Sequence, residues 1–156
     1  MKKLILTTLA IFAGLVFINA QEISKNAIGL RIGDSDGLGT EVSYQRALGG
    51  NNRLELDLGW RSGKGYDAFK LTGLYQWVWQ LDGNFNWYAG AGGGIGSIGF
   101  DNDDNETFFF AAGDIGIEYN FNIPLMLSLD FRPELGFGDF RDDLDFDIAL
   151  GIRYQF

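Results

Sequence analysis

Residues 144–156, LDFDIALGIRYQF, separate into two strictly alternating sets. Phe146, Ile148, Leu150, Ile152, Tyr154 and Phe156 form one; Asp145, Asp147, Ala149, Gly151, Arg153 and Gln155 form the other. A period of two over this length predicts a β-strand with one apolar and one polar face. The same design recurs upstream. It predicts strands at 26–33, 38–47, 53–61, 68–80, 85–97 and 108–121. A seventh lies between the connection Asn122-Ile123-Pro124 and a loop at 135–143, and the terminal strand is the eighth. The third is the cleanest: Leu54, Leu56, Leu58 and Trp60 alternate with Arg53, Glu55, Asp57, Gly59 and Arg61. Tight turns are predicted at Gly49-Gly50-Asn51-Asn52, at 81–84 around Asp82-Gly83, and at 122–124. The other connections, Asp34-Ser35-Asp36-Gly37, 62–67, 101–106 and 135–143, are mostly longer and rich in Asp and Gly.

The aromatic residues sort by height on these strands. Tyr44, Trp77, Trp79, Trp87, Tyr119, Tyr154 and Phe156 fall toward the tight-turn ends; Trp60, Phe69, Phe109, Phe131 and Phe146 fall toward the other. Two aromatic girdles flanking an apolar band are the pattern of a strand set that crosses a bilayer. The chain thus resembles the small eight-stranded OmpA/OmpX-type outer-membrane β-barrels of Gram-negative bacteria, over essentially all of its length after residue 20. The resemblance implies an all-β, antiparallel up-and-down transmembrane barrel. It also implies that the barrel-assembly machinery reads the terminal strand through Leu150, Ile152, Tyr154 and the final Phe156. A soluble lipocalin-like barrel is the rival architecture. Its apolar face would point inward, and four tryptophans with so many Leu and Ile would overfill the interior of eight strands.

The N-terminus adds an export signal. Lys2 and Lys3, the apolar run at 4–17, and Ile18-Asn19-Ala20 fit a signal peptide over residues 1–20, cleaved before Gln21. The run is too short for a spanning helix, which needs roughly 20 apolar residues. Residues 21–156 then form one barrel domain. With no cysteine, disulfides and a lipoprotein anchor are excluded. No cell-wall-binding domain is expected after the barrel. A net charge of −9, more acidic still without the two lysines, argues against nucleic acid as a partner. The expected partner is outer-membrane lipid, a monomer is expected, and the sequence names no surface ligand.

The polar faces gather six cations (Arg31, Arg53, Arg61, Lys70, Arg132, Arg153) and nine acids (Glu41, Glu55, Asp57, Asp114, Glu118, Asp130, Glu134, Asp145, Asp147) toward the barrel interior. Paired carboxylates can act as acid and base. Buried charges, however, persist when they are paired and hydrogen-bonded, so mutual neutralisation in a packed lumen is the simpler reading. Histidine is absent. The lipid A acyl-modifying enzymes and omptin-type proteases resemble one another in needing one, and none of their sites maps here.

Two motifs invite chemistry and fail its requirements. Gly94-Ile95-Gly96-Ser97-Ile98-Gly99 matches G-x-G-x-x-G, but no helix follows to meet a phosphate. Inward glycines instead leave room for long Arg and Glu side chains and let the wall curve. Asp101, Asp103 and Asn105 have calcium-loop spacing, yet Glu106 and Ala112 replace the required Gly and closing Glu. No catalytic, cofactor or metal site is assigned. The expected function is that of a structural or surface-interaction protein; a passive channel for small solutes is the alternative, and a His-free membrane enzyme the more remote one.

Overall fold

The computed structural model describes residues 23–33, 39–64, 66–100, 105–137 and 143–156. The expected signal peptide and its cleavage point, the loop at 34–37, Asp101 and Asp103 lie outside these residues. Eight antiparallel strands close into a barrel in chain order: β1 Asn26–Gly33, β2 Thr40–Gly49, β3 Asn52–Gly63, β4 Tyr66–Asp82, β5 Phe85–Phe100, β6 Asn105–Asn120, β7 Leu125–Phe137 and β8 Leu144–Gln155. Closure between β1 and β8 pairs Leu30 with Ile152 and Arg31 with Gly151, so the terminal strand has no free edge.

Left-handed glycines make two of the turns possible. Gly49 and Gly50, with φ of 109° and 59°, reverse the chain between β2 and β3; Gly83, with φ of 52°, does so between β4 and β5. A side chain is strained in that region and Gly is not. Between β6 and β7, Phe121 donates its amide to the Leu125 carbonyl.

The loop expected at 62–67 is largely ladder instead. Ser62 pairs with Asp67 and Gly63 with Tyr66, which leaves only residues 64–65 between β3 and β4. Alternation fades there because outward positions turn polar, and the backbone pairing continues regardless. The wall is consequently uneven. β4, β5 and β6 run 17, 16 and 16 residues, against 8 and 10 for β1 and β2.

Burial follows the period of two. Arg31, Glu41, Glu55, Asp57, Arg132 and Arg153 are all buried in the lumen, while Leu30, Leu56, Leu58, Leu129, Ile148 and Leu150 are exposed on the outer face. This is the reverse of the lipocalin arrangement. Aromatic pairs cluster outside at both ends: Trp79 stacks on Trp87 at 4.4 Å near the Gly83 turn, and Phe131 stacks on Phe146 at 5.6 Å toward the loop end.

Candidate functional site

The largest concentration of chemistry is the lumen. Arg31 donates from Nη1 to Glu41 at 2.9 Å and to Asp147 at 2.5 Å, and from Nε and Nη2 to Asp130 at 3.0 and 2.5 Å. Arg132 reaches Glu41 at 3.4 Å, Glu55 at 3.1 Å and Asp57 at 2.6 Å. Arg153 donates to Ser43 and Ser128 at 2.9 and 2.8 Å, and its Nη2 lies 3.3 Å from Glu55. Shared carboxylates therefore join β1, β2, β3, β7 and β8 into one network.

A second group bridges the other wall. Arg53 donates to Glu118 at 2.7 Å and to Gln76 at 2.6 Å; Gln76 donates in turn to Asp114, and Asn86 to Glu118 at 3.0 Å. The Arg53 guanidinium also lies 4.7 Å from the centre of the Tyr88 ring, within cation–π range. Nearer the loop end, Lys70 donates to both oxygens of Glu134 at 2.6 and 2.8 Å. Arg53–Glu118, Gln76–Asp114 and Lys70–Glu134 join strands that share no edge and so cross the bore, whereas Arg53–Gln76 and Asn86–Glu118 link neighbouring strands.

Of the charged residues that the sequence places on the inner face, all are buried but Arg61, which is exposed, and Asp145, which is half-buried. Both keep inward parity but sit where the strands rise toward the loop ends, and parity alone carries no height. Five cations and eight acids are buried among the described residues. Every one of those acids except Asp114 has a cation within salt-bridge distance, and Asp114 is held by the Gln76 amide. Pairing ties these carboxylates into the lumen network, although Glu41, Asp57 and Asp114 each keep one buried oxygen without a hydrogen-bond partner. Among the described residues, no group of His, Cys, Asp or Glu is placed to hold a metal ion.

The glycine run has a different role from the one expected. A Cβ on Gly94 or Gly96 would collide with the rings of Phe110 and Phe108, which lie against the β5 backbone. With Leu74, Ala112 and the partly buried Ile98, these rings form an apolar cluster inside the barrel. Lys70 Nζ lies 5.1 Å from the Phe110 centroid, so the Lys70–Glu134 pair packs directly against this cluster. The signal was present in the sequence: Phe108, Phe110 and Ala112 hold the same parity as Asp114. Residues 94–99 lie within β5 and the next described element is the strand β6, so the nucleotide motif lacks its context.

No protein-family model matches the sequence, and no curated protein matches it. Solved structures do resemble the fold. The N-terminal β-barrel domain of Pseudomonas aeruginosa OprF matches with a TM-score of 0.65 at 14% identity, covering 84% of this chain and 95% of that one. Neisserial surface protein A matches at 0.59 with 13% identity over 84% and 94% of the two chains. Ail, the attachment invasion locus protein of Yersinia pestis, matches at 0.55 with 15% identity over 85% and 97%. At these identities the likeness is one of architecture. The chain has the fold of the small eight-stranded outer-membrane β-barrels.

Proposed function

We propose that this is an integral outer-membrane protein of a Gram-negative bacterium, exported by a signal peptide at residues 1–20. In this reading it acts as a monomeric structural or surface-interaction protein without catalysis. The barrel-assembly machinery would insert it by reading Ile152, Tyr154 and Phe156 on β8. The observation that carries the proposal is the inverted polarity: a closed barrel whose lumen holds a network of buried, mostly paired charges while most of its Leu, Ile and Trp face outward. Within hydrocarbon only such closure satisfies every strand amide, and only an apolar exterior is soluble there. With both termini on the periplasmic side, the Gly50 and Gly83 turns face the periplasm and the loop ends of β3–β6 face the exterior.

The passive channel is the alternative reading. Against it, cross-lumen pairs and the Phe108–Phe110 cluster occupy a bore that side chains of eight strands suffice to fill. Planar-bilayer recording on the refolded mature chain tests the choice: no steady porin-sized conductance is expected. Large, steady openings would overturn the packed lumen and favour the channel.

A further inference from the structure

Closure of the ring depends on the pairing of β1 with β8, and the inner face of that seam does little to hold it. β1, at 8 residues, is the shortest of the eight described strands. Its inward positions meet β8 as Ala27 with Gln155, Gly29 with Arg153, Arg31 with Gly151 and Gly33 with Ala149. Each of these rungs has a glycine or an alanine on at least one side. Opposed side chains are what stabilise neighbouring strands, so these rungs contribute little. The backbones approach closely instead: a Cβ on Gly29 would collide with the Ile152 carbonyl.

Side chains fasten the seam toward its ends. On the loop side, Arg31 donates to Asp147 of β8 at 2.5 Å. On the tight-turn side the fastening is Asn26. Its main chain exchanges two hydrogen bonds of 2.9 Å with Phe156, and its Nδ2 donates to the Phe156 main-chain oxygen at 3.4 Å. Its Oδ1 accepts from Tyr44 Oη and from Arg46 Nη1 of β2, both at 2.9 Å. One half-buried side chain thus ties β8 through β1 to β2.

We propose that Asn26 is the latch of this seam: a positioning residue whose bonds from β2 hold β1 against β8, so that the β8 edge is offered to an outside strand only while the latch is open. Opening one ladder leaves the rest of the ring paired and needs no global unfolding. A freed edge presents a row of unpaired amides and carbonyls, which is a template for another extended chain. The side chain of Asn26 suits the task because its oxygen can take two donors from one neighbouring strand while its main chain pairs with the other.

Hydrogen exchange of the mature chain refolded in detergent micelles, read by mass spectrometry, tests the latch. Asn26→Ala removes both bonds from β2 and should speed exchange of the β1 and β8 amides about tenfold, with β4 and β5 unchanged. Asn26→Asp keeps an oxygen for Tyr44 and Arg46 and should exchange like the wild type. Should Asn26→Ala fail to fold, Tyr44→Phe and Arg46→Met each remove one of the two bonds, and each should speed seam exchange about threefold. The chain has no cysteine of its own, so Leu30→Cys with Ile152→Cys places a single disulfide across directly opposed positions of the seam. In that cross-linked barrel Asn26→Ala should no longer speed exchange. Unchanged seam exchange in the latch variants, an equal rise across all eight strands, or a seam effect that survives the disulfide would each overturn the proposal.

Discussion

Arg132 on β7 donates to Asp57 on β3 at 2.6 Å, although the two strands stand on opposite sides of the eight-stranded ring. Both residues are fully buried. Removing one partner leaves the other charge without compensation, and for buried pairs that is the costly change. Arg132→Ala should destabilise the barrel by about 3–5 kcal/mol in lipid vesicles, read by urea unfolding. Replacing Arg132 by Met and Asp57 by Leu together should cost clearly less than the sum of the two single changes. Additive losses would mean that the pair does not act as a unit.

Leu56 and Gly59 test the two faces of one strand. Leu56 is exposed on the outer face, so Leu56→Arg should cost about 2–4 kcal/mol at mid-bilayer. Gly59 is buried, and a Cβ there would lie 3.2 Å from Glu41 Cγ, the flexible stem of a long side chain. Gly59→Ser should therefore be the milder of the two. Equal stabilities in vesicles would show the register of β3 to be wrong.

Neighbouring glycines on β5 should respond differently to repair. The three atoms nearest a methyl on Gly96 all belong to the Phe108 ring, whereas one on Gly94 meets both Phe110 and the backbone oxygen of Leu71. Gly96→Ala should be substantially rescued by Phe108→Ala; Gly94→Ala should not be rescued by Phe110→Ala, because a carbonyl cannot be trimmed away. Thermal unfolding in detergent of the four single and two double variants decides this. Equal rescue at both positions would refute the distinction.

Any leak through the lumen should be small and cation-preferring. Eight buried acids face five buried cations, and a pore lined with excess carboxylate selects for positive ions. Reversal potentials in a salt gradient measure the sign. Anion preference would place the conducting path elsewhere than this lumen.

The mature chain should fractionate with the outer membrane and should migrate differently in detergent gels before and after boiling, since a closed barrel has no edge from which to fray. Recovery from the soluble periplasm would refute the assignment.

The face taken by each strand residue was legible in the sequence, because the period of two is a local property of extended backbone. Leu54, Leu56, Leu58 and Trp60 could only share a face opposite Arg53, Glu55, Asp57 and Gly59, and the turn glycines announced where strands reverse. Height was not legible. Whether Arg61 or Asp145 lies in the bore or at its rim, and whether Arg132 meets Asp57 or another carboxylate, depends on the stagger accumulated over every ladder around the ring. Each ladder adds its own register, and no local pattern records the sum. The polar rung at the loop ends of β3 to β6 has the same origin. Ser62, Asp67, Gly99 and Asn105 are scattered along the chain, and only the pairing of four strands sets them on one rung.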